Sequence, residues 1–178
     1  MNRLTLGETN RASDEHRAAL IALIPRLRRF ARVLTGNMAD ADDVVQAALE
    51  KAIRNMDQWQ AGTRLDRWAF AIARNIWIDD RRLARNRVPH DDIADHGDLA
   101  GEDGTDTVER QARHRAVQDA VARLPEAQRI LVGLVIIEGY SYREAADALD
   151  IPIGTVMSRL ARARTAMAEQ LGQRGTVQ

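Results

Sequence analysis

Thr155, Ser158, Arg159 and Arg162 fall together on one side of a helix within the stretch GTVMSRLARAR. Two guanidiniums beside two hydroxyls suit nucleic acid: the arginines grip guanine edges or phosphates, and the hydroxyls meet phosphate or thymine methyl groups. Another face of the same helix carries Val156, Leu160, Ala163, Met167 and Leu171, at intervals of four, three, four and four. Taken alone, the pattern fits equally a surface helix whose arginines are merely solvated. The preceding residues decide between the two. SYREAADALD predicts a short helix in which Ser141 is the N-cap and Glu144, three residues on, completes a capping box. Ala145, Ala146 and Leu149 form its inner face, Ile151 plugs the core, and Pro152 breaks the chain before the next helix. Cap, turn and charge together predict a helix-turn-helix, whose second helix enters the major groove.

The elements that must position this unit also read as helices. Residues from Asp14 to Leu34 form a helical stretch that Pro25 is expected to end or kink near Ile24, with Gly36 as its stop. Asp40 is expected to cap the next helix, which would bury Val45, Leu49, Ala52, Ile53 and Met56. After the loop DQWQAGT, a longer helix from about Arg64 to Arg85 keeps Leu65, Trp68, Ile72, Ile76 and Leu83 at helical spacing, with Trp77 beside them. Trp68 is read as core, while Trp59, in the loop, stays open between packing and stacking on a base. A helix from about Thr107 to Arg123, a break at Pro125 and an apolar helix through RILVGLVII lead to the helix-turn-helix. The fold class is therefore all-α, with two small helical domains at 14–87 and 110–172 joined by a flexible acidic linker at 88–109.

The formal net charge of zero conceals segregation along the chain. Residues 1–87 carry 16 Arg or Lys against 11 Asp or Glu, residues 88–109 carry eight acids and no Arg or Lys, and residues 110–178 carry 10 against 7. Two mildly basic blocks around an acidic connector point to a polyanionic partner. The absence of cysteine removes disulfides, thiolate chemistry and cysteine-ligated zinc. His90, Asp91, Asp92, Asp95 and His96 carry metal-binding atoms, but they sit in a Gly- and Asp-rich linker without fixed geometry. No nucleophile–base pair or phosphate-cradling glycine loop appears elsewhere, so no metal, cofactor, small-molecule substrate or catalysis is expected. A signal-like apolar run and a membrane-length segment are both missing, which leads to an expectation of a cytoplasmic protein without a membrane partner.

LPEAQRILVGLVIIEGYSYREAADALDIPIGTVMSRLARAR resembles region 4 of the extracytoplasmic-function sigma factors, small initiation subunits of bacterial RNA polymerase. ADADDVVQAALEKAIRNM resembles region 2.2 of that family, and LDRWAFAIARNIWIDDRRLARNR resembles regions 2.3 and 2.4. The resemblance implies that region 4 reads a −35 promoter element through Thr155, Ser158, Arg159, Arg162 and Arg164, with Arg143 on a phosphate. It implies that region 2 opens the −10 element, with Trp59, Arg64, Arg74, Asn75, Arg81 and Arg82 facing the displaced strand. Asp43, Gln46 and Glu50 match the surface that contacts core RNA polymerase, although Ala47 stands where the family often has an acid. Spacing alone reads those three equally as a capping and solvated face. The implied partners are core RNA polymerase, promoter DNA and an anti-sigma factor. The acidic linker matches a connector threaded toward the RNA exit path, while composition alone fits a plain tether equally well. A stand-alone regulator using only the helix-turn-helix would need a sensing or dimerisation domain, and residues 1–87 resemble a polymerase-binding module instead. A sigma-like decoy would carry a fused receiver domain, for which the chain has no room.

Overall fold

The computed structural model describes residues 6–60, 62–87 and 108–174, and among them all regular structure is helical. In the first half, α1 spans Leu6–Thr35, α2 Met38–Arg54 and α3 Leu65–Arg87, with a 3₁₀ turn at Met56–Gln58. In the second half, α4 spans Val108–Ala122 and α5 Glu126–Leu131, the latter running into a π-helical segment at Val132–Ile137. The pair α6, Tyr142–Leu149, and α7, Ile153–Arg174, forms the helix-turn-helix. Residues 88–107 of the acidic linker, with the His90–His96 cluster, lie outside the described residues, and its last two positions, Val108 and Glu109, already belong to α4.

Helix α1 runs unbroken through Pro25, against the expected end or kink near Ile24. Both Pro25 and Ile21, whose carbonyl loses its donor to the proline, sit on the exposed face, where water can replace the missing bond. Gly36 ends the helix as expected, at φ +87° with its N–H donating to the Arg32 carbonyl at 2.9 Å. The cap of α2 is Asn37 and not Asp40: the Asn37 side chain accepts from the Asp40 N–H at 2.9 Å and donates to the Asp40 carboxylate at 2.8 Å. Asp40 thus takes the reciprocal, third-residue place of a capping pair.

The first-half core forms where α1, α2 and α3 pack on one another. Ala41, Val45, Ala48 and Ala52 form the buried stripe of α2, with Val44 beside it. Ile53 is 48% exposed, because the stripe through Ala41, Ala48 and Ala52 faces the neighbouring helices, with Leu49 packed at the edge of the core and Ile53 turned to solvent. On α3, Ala69, Phe70, Ile72, Ala73 and Trp77 are buried, whereas Trp68 is only half-buried against the core. Leu83 is 52% exposed, and among the described residues Trp77 is the last fully buried side chain of α3.

In the second half the expected capping box is present: Ser141 Oγ accepts from the Glu144 N–H at 3.1 Å, and Glu144 Oε2 from the Ser141 N–H at 2.9 Å. Asp150 closes α6 in the left-handed region at φ 51°, a conformation that Asp tolerates better than most residues. Val156, Leu160 and Ala163 are buried, and Met167 packs at the edge of the core. The apolar run expected as one helix changes at Val132 into wider π turns, with the Glu138 N–H donating to the Gly133 carbonyl at 3.0 Å.

The two halves pack directly on each other. Gly133 lies so close to α1 that an added Cβ would meet the Phe30 ring at 2.8 Å, so only glycine permits this approach. Phe30, Phe70 and Tyr140 continue the core across the seam, edge to face, with centroids 5.1 and 6.0 Å apart. Arg129 of α5 is 7% exposed and donates to the carbonyls of Leu34, Ala122 and Leu124, while its guanidinium lies 5.7 Å from the Trp77 ring.

Candidate nucleic-acid interface

Helix α7 presents the residues singled out for duplex reading. Ser158 and Arg162 are exposed, and Thr155 and Arg159 are half-buried above the stripe that docks α7 on its own domain. Ser158 Oγ donates to the Thr155 carbonyl at 3.1 Å, so its hydroxyl is bound locally in the free chain. Arg162 Nε donates to the Ser158 carbonyl at 3.3 Å, and Arg164 donates to the Tyr142 hydroxyl at 3.1 Å. Arg143 is exposed on the preceding helix. The structure therefore brings Arg143, Arg162 and Arg164 to the surface of one helix-turn-helix, with Arg159 beside them.

The residues assigned to strand opening lie on α3 and the loop before it. Trp59 is half-buried, edge-on to His16 at 4.7 Å, with its indole N–H buried and without a hydrogen-bond partner. Asn75 and Arg82 are exposed, and Arg81 lies 5.4 Å from the Trp77 ring. Arg64 and Arg74 are engaged by the second half of the chain. Arg64 pairs with Asp66 at 2.7 Å and with Glu144, and Arg74 donates to the Ala148 carbonyl at 3.1 Å. On α2, Asp43, Gln46 and Glu50 share one exposed face, where the Gln46 amide donates to Glu50 at 3.1 Å.

Sequence reasoning missed the charges of the seam. Arg67 donates to Glu144 at 3.1 Å, and Glu138, whose side chain is fully buried, receives Arg26 at 2.8 Å and faces Arg29 at 3.5 Å. A small cleft between the halves is lined by Phe30, Arg67, Phe70, Arg74, Leu134 and Tyr140. Burial, helped by the Asp66 charge, pushes the Tyr140 phenol up to about 12, so it stays neutral. The Glu144 carboxyl is drawn down from 4.5 to about 2 by the Ser141 N–H and hydroxyl, then by Arg67 and Arg64. At Asp66, burial opposes ionisation, but the hydrogen bond and charge of Arg64, with the Arg67 N–H and Arg26, outweigh it and lower the pKa.

Both carboxylates bind their protons more weakly in the folded chain than in the unfolded one. Their stabilisation is complete above the ordinary carboxylate range and lost as pH falls through the folded values. For Glu144 the window runs from 4.5 down to about 2. The thermal midpoint is expected to drop between pH 5 and pH 3, and a calorimetric midpoint equal at both would refute this.

Residues 20–74 match the family described as the Sigma2 domain of PhyR, and residues 114–167 match Sigma-70, region 4. The chain is 36% identical over 159 residues to the ECF RNA polymerase sigma factor EcfG of Rhodopseudomonas palustris, covering 89% of this chain and 86% of that one. The chain belongs to the ECF RNA polymerase sigma factors. ECF sigma factor SigM of Mycobacterium tuberculosis is 36% identical over 153 residues, covering 85% of this chain and 74% of its own. Among solved structures, the sigma factor RpoE of Bartonella quintana, in complex with the anti-sigma factor NepR, superposes with a TM-score of 0.70 at 29% identity, covering 89% of this chain and 97% of that one. As in any ECF sigma factor, the helix-turn-helix belongs to region 4 and α1–α3 to region 2. Among the described residues, no helix is long and apolar enough to cross a membrane, and no cluster of His, Asp or Glu suits a metal ion.

Proposed function

We propose that this ECF sigma factor binds core RNA polymerase, directs it to promoters with defined −35 and −10 elements, and assists duplex opening without making or breaking a bond itself. The observation that carries this reading is the pairing, in one chain, of a capped helix-turn-helix presenting Arg143, Arg162 and Arg164 with a three-helix unit bearing an exposed acidic and amide face. Residues 110–172 act as the −35 reader, through Arg143, Thr155, Ser158, Arg159, Arg162 and Arg164. Residues 14–87 hold Asp43, Gln46 and Glu50 against the polymerase, while Trp59, Arg64, Arg74, Asn75, Arg81 and Arg82 face the displaced strand. Basic side chains track the phosphates and an aromatic ring stacks a base, the usual means of holding a single strand. An anti-sigma factor holds the protein inactive, a role supported by the NepR-bound relative. The site of action is the cytoplasm, where polymerase works.

Run-off transcription with sigma-free bacterial core polymerase on fragmented genomic DNA, with RNA 5′ ends mapped, tests the reading. Discrete starts sharing two spaced upstream motifs are expected. Polymerase binding without starts would instead mark a decoy, and absence of polymerase binding would sink the reading.

A further inference from the structure

Helix α7 carries a second row of side chains that the proposed −35 reading leaves unused. Ile153, Met157 and Ala161 follow one another at intervals of four, and all three are exposed, Ile153 by 46% and Met157 by 54%. None belongs to the stripe of Val156, Leu160 and Ala163 that docks α7 on its own domain. The row lies beside Ser158 and Arg162, so an apolar ridge and a polar one run in parallel along the outward side of the helix.

A single exposed methionine is ordinary on a protein surface. Met157 is set among cations, however. Arg143, Arg162 and Arg164 are exposed on the same helix-turn-helix, Arg159 is half-buried beside them, and α7 has no acid before Glu169. A long apolar side chain within a basic field suits a partner that is anionic outside and apolar at one point within. Duplex DNA meets that description in its major groove, where phosphates border the thymine C5-methyl group. Thr155 and Ser158 are less free to meet such a methyl: Thr155 is half-buried, and Ser158 spends its hydroxyl on the Thr155 carbonyl at 3.1 Å. Met157 is unbranched and adaptable, and it lies in the early part of α7, the part of a recognition helix that meets base edges.

We propose that Met157 is a specificity-determining residue for the −35 element, its side chain packing on the C5-methyl of a thymine in the major groove, with Ala161 extending the same apolar ridge. This inference rests on the sigma-factor reading above and deepens it. The arginines of α7 hold guanine edges or phosphates, and Met157 adds a contact that selects thymine by its methyl. Cytosine offers an amino donor and no methyl at that place, so it is disfavoured.

Uracil supplies the test, because it keeps the hydrogen-bonding groups of thymine and lacks only the methyl. On a promoter mapped with this chain and core polymerase, each thymine of the −35 duplex, on either strand, is replaced singly by deoxyuridine. Run-off yield is then measured at subsaturating holoenzyme. With the parent chain, at least one replacement should lower initiation about threefold or more, the worth of one buried methyl. With Met157→Ala, initiation on the thymine template should fall by a similar factor, and that replacement should make no further difference. Met157→Leu, which keeps an apolar side chain of similar volume, should retain the thymine preference. Thymine and uracil are compared within each variant, so a general loss of activity cannot imitate the effect. The inference is overturned if no replacement matters, if the −35 element holds no thymine, or if Met157→Ala stays as sensitive to the lost methyl as the parent. If the parent yields no starts on any template, the sigma-factor reading itself fails. An active parent that ignores every methyl leaves that reading standing and ends this one.

Discussion

Arg129→Ala is expected to lower the melting temperature by about 6–12 °C, through a loss of about 3 kcal/mol. The reason lies in what the guanidinium touches. Leu34 is at the end of α1, Ala122 at the end of α4 and Leu124 just past it, so the carbonyls to which Arg129 donates lie at two helix C-termini, where no intrahelical donor is available. A cation there also opposes the negative ends of both dipoles. Alanine leaves buried acceptors without donors and opens a gap beside Trp77. The same change loosens region 4 from region 2, because Leu34 belongs to one half and Arg129 to the other. Circular dichroism melts of parent and variant check it, and a shift below about 2 °C would show that water replaces the lost bonds.

Joint replacement of Arg159 and Arg162 by alanine is expected to reduce initiation at the mapped promoters by about thirtyfold or more. Each good bidentate contact to a base is worth about 1–3 kcal/mol, and two at the low end already give that factor. Arg162 is exposed, and neither arginine belongs to the buried stripe of Val156, Leu160 and Ala163. The melting temperature should therefore move by less than about 2 °C. Pull-down of core polymerase should be unchanged, since the α2 face is untouched. Run-off yields from parent and variant decide; retained yield would mean that these arginines are only solvated.

How far the sequence led can be judged element by element. The capping box of Ser141 and Glu144, the stripe through Val156 and Leu160, the stop at Gly36 and the break at Pro125 are all local signals, spanning a few residues. All of them recur in the structure. The Asn37 cap was legible in principle, as an Asn three residues before an Asp, but Asp40 drew the same expectation from closer to the apolar stripe. Ile53 and Leu83 were misplaced because spacing marks a face without saying whether a neighbour covers it.

By itself the sequence determined the all-helical class, the helix-turn-helix and the surface cations of α7, because helical periodicity, caps and turn residues act between near neighbours. It also carried the family resemblance. Only the tertiary structure decided which charges remain free. Arg26 meets Glu138 across 112 residues, Arg129 meets the Leu34 carbonyl across 95 and Arg64 meets Glu144 across 80. No pattern within one helix reports pairings at such separations. They exist because Gly133 lets the π-helical segment approach Phe30, bringing two separately legible helical units into one core.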